Sequence, residues 1–148
     1  MIPDYPMLHW RHLHPKLKDR ISQYYKNEQY GEAADQGAKI YCEVIRNITG
    51  SKLDGRELME PVFSGNPPRV RINDFKTKSD KNIQEGQALL SKGLMSGFRN
   101  PIVHSAIDKI VPDVFTELDC LNILSLTSHL LYRTDKAVVD DPEYFKTH

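Results

Sequence analysis

Between positions 118 and 131 the chain is apolar on nearly every side of a helix, with Leu118, Leu121, Ile123, Leu124, Leu126, Leu130 and Leu131. A helix of that kind has to be surrounded by other elements. The sequence therefore demands partner helices and predicts this segment, opened by Pro112 and Asp113, as the centre of an all-α bundle. His129, inside the run, reads as a hydrogen-bonded core histidine.

The partners are visible as amphipathic runs. Pro15 suits a first helical turn, and Leu17, Ile21 and Tyr24 carry that helix to about Lys26. Ala34, Ala38, Tyr41, Ile45 and Ile48 then recur by fours and threes, with Gly50 as the C-cap. Asp54 precedes a short helix bearing Leu58, Met59, Val62 and Phe63. A further helix over about 78–98 carries Ile83, Gln87, Leu90, Leu94 and Phe98, but also Gly86, Gly93 and Gly97. Glycine inside a helix costs roughly 0.5–1 kcal/mol relative to alanine. The expected compensation is close approach of another helix, within the subunit or across a dimer. Gly65-Asn66-Pro67-Pro68 cannot be helical, and Arg69-Val70-Arg71-Ile72 alternates, which predicts a short extended insertion around residues 66–76.

At 148 residues, 39% hydrophobic and 27% charged, the chain suits one domain that needs neither disulfides nor a structural metal. Residues 1–12 read as an arm, 13–139 as the domain and 140–148 as a polar tail. The arm and its edge hold His9, Trp10, His12 and His14, read as packing groups rather than metal ligands because no cysteine or carboxylate lies nearby at ligand spacing. Cys42 and Cys120 fall in apolar helical patterns, as buried thiols do. Neither a basic segment leading into an apolar core nor an apolar run of membrane-spanning length is present, so a cytoplasmic location away from membranes is expected. Twenty basic residues balance twenty acidic ones, which argues against coating nucleic acid through bulk charge. A local contact is still open: Arg69, Arg71, Lys76, Lys78 and Lys81 form a run broken only by Asp74, either a solvated loop or a set of phosphate contacts to RNA.

The chemistry concentrates in Arg99-Asn100-Pro101-Ile102-Val103-His104. On an unbroken helix Arg99 and His104 would diverge by roughly 140°. Pro101 ends or kinks that helix, which lets the two approach. A guanidinium suits phosphate oxygens and an imidazole moves protons near neutral pH. The alternative is a surface ion pair beside a histidine capping a helix. No Gly-rich phosphate loop, HExxH, paired CxxC or GxSxG elbow accompanies these residues, and no metal or cofactor is expected.

Four segments carry a family likeness: Leu13-His14-Pro15-Lys16-Leu17; Tyr30-Gly31-Glu32-Ala33-Ala34; Leu53-Asp54-Gly55-Arg56-Glu57-Leu58-Met59 with Pro61-Val62-Phe63-Ser64; and Gly93-Leu94-Met95-Ser96-Gly97-Phe98 running into the Arg-Asn-Pro-x-x-His element. In order and approximate spacing they resemble the Ymh family of the HEPN superfamily, over about residues 13–135. The resemblance implies a HEPN-like helical bundle, a homodimer, and a metal-independent ribonuclease of phage defence, toxin–antitoxin or RNA-processing systems. Arg99, Asn100 and His104 match the superfamily signature. RNA would be the substrate, and an antitoxin or regulatory protein a further partner. Some superfamily members are non-catalytic, and the corresponding alternative is a dimerisation or nucleotide- or RNA-binding module in which Arg99 binds phosphate and His104 is structural.

Overall fold

The computed structural model describes residues 10–99 and 115–140, with Arg99 described by its backbone alone. Among these, five α-helices and a two-stranded ladder form an all-α bundle. Helix α1 (Pro15–Lys26) begins with proline in its first turn and is capped by His14, whose Nδ1 accepts from the Lys16 N–H at 3.2 Å. Helix α2 (Tyr30–Thr49) ends on Gly50 at φ 72°, whose N–H reaches the Arg46 carbonyl, as the sequence predicts. Helix α3 (Gly55–Phe63) follows Asp54, which does not cap it; that carboxylate accepts instead from Arg46 Nη1 at 2.8 Å.

Strand β1 (Val70–Arg71) pairs antiparallel with β2 (Val138–Val139), Val70 opposite Val139. The extended insertion thus joins the last described residues rather than forming a local hairpin. The tail begins in this contact: the Asp140 N–H donates to the Arg69 carbonyl, and its carboxylate accepts from Arg71 Nη2 at 2.7 Å. Helix α4 (Lys78–Leu94) starts in a capping box between Thr77 and Asp80 and passes into a π-helical turn over Met95–Arg99. Helix α5 (Glu117–Thr134) has its own capping box between Thr116 and Asp119.

The centre of the bundle is α2, not α5. Ten residues of α2 are buried. Gly37 sets the approach of α5, because a Cβ there would lie 2.8 Å from Leu124 Cδ2. The apolar run of α5 buries Cys120, Leu121, Leu124, Leu130 and Leu131, yet leaves Leu118 and Tyr132 exposed. His129 also faces outward and is no core histidine.

The predicted core face of α4 is corrected too. Ile83 and Leu90 are exposed, and the inner face carries Gln84, Gln87, Ala88, Ser91 and Leu94. Those amides are satisfied. Gln84 Nε2 donates to the Phe63 and Val70 carbonyls, and its Oε1 accepts from the Ile72 N–H. Gln87 Nε2 donates to Tyr41 Oη and to the Leu130 carbonyl, while Tyr41 Oη also pairs with Ser91 Oγ at 2.7 Å.

These contacts fix directions. Phe98 meets Phe115 at one end and Gln87 meets Leu130 toward the other, so α4 and α5 run antiparallel. Gly37 faces Leu124, and Tyr41 meets Gln87 beside Leu130, so α2 and α5 run parallel. It follows that α2 and α4 are antiparallel. One end of the bundle therefore gathers the first turns of α2, the start of α5 and the π-helical turn.

Candidate functional site

Arg99 closes the π-helical turn at that end. A π turn replaces i→i+4 hydrogen bonds by i→i+5 and recurs at functional positions. Here it ends two residues before Pro101 in the sequence. Asn100 and His104 lie outside the described residues, as does all of 100–114. The turn itself is anchored: Met95 is fully buried with its Sδ 3.4 Å from Cys42 Sγ, and the Phe98 ring lies 5.3 Å from that of Phe115.

The same end holds a charged pair that the sequence reading passed over. Asp35 is 3% exposed although it lies in the second turn of α2. Its Oδ2 pairs with Lys39 Nζ at 2.9 Å. Its Oδ1 is buried and has no hydrogen-bond partner among the described residues. A carboxylate in such surroundings is costly unless both oxygens are satisfied. The available signal was helical phase, because Asp35 stands seven residues before Cys42 and so within about 20° of its face.

The lysines of the basic run sit elsewhere. Lys76, Lys78 and Lys81 are exposed around the start of α4, and the 21 residues from Lys78 to Arg99 correspond to roughly 30 Å of helix. Their loop is built rather than loose. Asp80 accepts from the Lys76 and Thr77 N–H groups, which holds its carboxyl below the usual range, and Asn73 Oδ1 accepts from the N–H of Phe75. Phe75 takes φ 54°, with Lys81 Nζ 5.4 Å from its ring centre. Arg71 is committed to Asp140, and Arg69 is half-buried beside it. A cavity of about 300 Å³ between the end of α3 and α4 is lined by Phe63, Phe75, Lys81, Glu85, Leu89 and Lys92. Its charges largely cancel, since Glu85 offsets Lys81 and Lys92 is paired with Glu60.

The remaining titratable candidates are structural. His14 Nε2 contacts the Asp135 carboxylate at 3.0 Å, and with Nδ1 already accepting from Lys16 both ring nitrogens are used. Trp10 packs 5.0 Å from Tyr25, so the described end of the arm lies on the body. Cys42 and Cys120 are both buried, and burial pushes the Cys120 thiol up to about 12. No described helix is long and apolar enough to cross a membrane.

A family model described as a protein of unknown function, Hypoth_ymh, matches residues 11–134. No curated protein and no solved structure matches the chain.

Proposed function

As the chain belongs to the Hypoth_ymh family, whose function is unknown, we propose that it is a metal-independent endoribonuclease of the HEPN type. In this reading it is a cytoplasmic homodimer of a phage-defence or toxin–antitoxin system, restrained by an antitoxin or regulatory protein. The observation that carries the reading is that regular α4 geometry ends at Leu94 and gives way to a π-helical turn whose last residue, Arg99, is the first of the Arg-Asn-Pro-x-x-His element.

The reaction is attack of a ribose 2′-oxygen on the adjacent phosphorus with departure of the 5′-oxygen. His104 removes the 2′-hydroxyl proton or protonates the leaving oxygen, a role worth about 10² to 10⁴ in rate. Arg99 holds the phosphate and stabilises its added charge, and Asn100 orients the phosphate or the imidazole. One imidazole cannot hold both roles in one step. A two-fold dimer supplies the second.

The exposed face of α4 suits that dimer. Ile83, Leu89 and Leu90 project there, and a Cβ built at Gly86, Gly93 or Gly97 meets nothing within 4 Å among the described residues. The close approach expected of these glycines is thus not made by any described element of the same subunit. RNA bound by both Arg99 and Lys76, Lys78 and Lys81 of one subunit would follow α4 for roughly 30 Å.

Digestion of RNA in excess chelator with end-group analysis tests the reading. Expected products carry 2′,3′-cyclic phosphate and 5′-hydroxyl ends, and His104→Ala abolishes them. Absence of cleavage, or cleavage that needs added magnesium, overturns it. RNA retention without cleavage would instead mark a binding module.

A further inference from the structure

We propose that the cavity between the end of α3 and α4 binds a free amino acid with an aromatic or branched apolar side chain. Of the residues given to RNA in the ribonuclease reading the site uses Lys81 alone, and its test reads no cleavage.

The cavity has about 300 Å³, at the lower end of the range for small-molecule pockets. Along α4, Lys81, Glu85, Ala88 and Lys92 follow one another at steps of four, three and four, and so form one stripe of its wall. Its base is apolar, since Phe63 and Ala88 are both buried, and Leu89 stands exposed at its edge. Gln84 also lines it, but the amide nitrogen already donates to the Phe63 and Val70 carbonyls. Phe75 adds an aromatic side chain in an unusual state. Its φ of 54° is a conformation that bulky residues rarely adopt. Asn73 imposes it, accepting from the Phe75 N–H at 2.9 Å while its own Nδ2 donates to the Asp80 carbonyl at 2.8 Å. Strain held in this way by its surroundings gathers at ligand-holding positions.

Charge decides the class of ligand. Lys92 is spent on Glu60. Lys81 and Glu85 stand one turn apart, about 6 Å along the axis, and neither enters an ion pair among the described residues. Lysine four residues before glutamate is the weaker order for a helical pair, and Lys81 Nζ lies instead 5.4 Å from the centre of the Phe75 ring. The wall thus offers one cation and one carboxylate over an apolar base. A phosphate ligand would satisfy Lys81 and be repelled by Glu85. A purely apolar ligand would desolvate both charges without replacing their water. A zwitterion satisfies each: its carboxylate meets Lys81, its ammonium meets Glu85, and its side chain lies against Phe63, Phe75 and Ala88.

The test is calorimetric titration of the full chain with L-phenylalanine, 3-phenylpropionate, which lacks the ammonium, and phenethylamine, which lacks the carboxylate. Phenylalanine is expected to saturate one site, and each analogue to bind at least about tenfold more weakly, as loss of one charged hydrogen bond implies. Lys81→Gln and Glu85→Gln, both at exposed positions, should weaken phenylalanine by a similar factor with circular dichroism unchanged. No saturation by phenylalanine or leucine up to about 10 mM, a range that covers millimolar affinity, overturns the proposal. So does equal binding of either analogue, or binding that both variants leave intact. Saturable binding of adenosine monophosphate where neither amino acid binds would assign the cavity to a phosphate ligand and overturn it as well.

Discussion

His129 stands on the outer side of α5, where partial burial first and the charge of Arg133 second hold its imidazole below the ordinary 6.5. The unfolded chain then binds its proton at higher pH than the native one does. Stability from this group is complete above about pH 6.5 and is lost as pH falls through the lower folded value. Unfolding midpoints measured from pH 5 to 7.5 should rise with pH, and His129→Gln should flatten part of that rise; an unaltered slope would assign it to other groups. At Arg99 the expected sensitivity is to shape rather than charge. Arg99→Lys keeps a cation but loses the planar fork, so RNA cleavage should fall by at least tenfold while circular dichroism stays unchanged. Wild-type cleavage by that variant would remove the guanidinium from the mechanism.

Helix α4 departs from the usual amphipathic arrangement: two glutamines and a serine stand beside Ala88 and Leu94 inside, while Ile83, Leu89 and Leu90 are exposed outside. The Gln84 amide supplies partners for the backbone of the extended insertion at Val70 and Ile72, and Gln87 ties α4 to Tyr41 and Leu130. Gln84→Leu would strip two carbonyls and one N–H of their contacts and is expected to destabilise the fold by roughly 2–4 kcal/mol in denaturant titration. A loss under 0.5 kcal/mol would mean that water replaces the amide. On the outer face, Gly93→Ala raises helix propensity by about 0.5–1 kcal/mol and places a methyl where the proposed partner helix lies. Such a chain should gain stability when dilute and self-associate more weakly in sedimentation; unchanged association would move the dimer contact elsewhere. This helix also shows how far sequence pattern reaches. The spans of α1 and α2 and the Gly50 cap were legible because they depend on local periodicity and backbone conformation. The buried side of α4 was not, since Gln84 and Gln87 are buried by distant acceptors at Phe63, Val70 and Leu130 that only the tertiary fold brings near. For the same reason Arg99 could be singled out as a chemical group, whereas Asp35 looked like any helical acid until its burial was known.

For the molecule as a whole, distant segments close the fold. His14 is tied to Ser128 and Asp135, and β1 to β2, so α1 and the insertion both depend on residues near the far end of the described chain. A chain ending at Thr134 should lose hydrogen-exchange protection in the first turn of α1 and at residues 69–72, while the middle of α2 keeps its own. Equal protection throughout would show that the ladder and the His14 contact add nothing. These ties also set a clock. Translation adds about 5–20 residues per second, so His14 is made roughly 6–25 s before Asp135 exists to receive it. For that interval α1 and α2 have each other but not α5, and the side of α2 around Gly37 that Leu124 will cover stays open to water. Until α5 is made, the nascent protein therefore carries along α2 an apolar seam that water reaches.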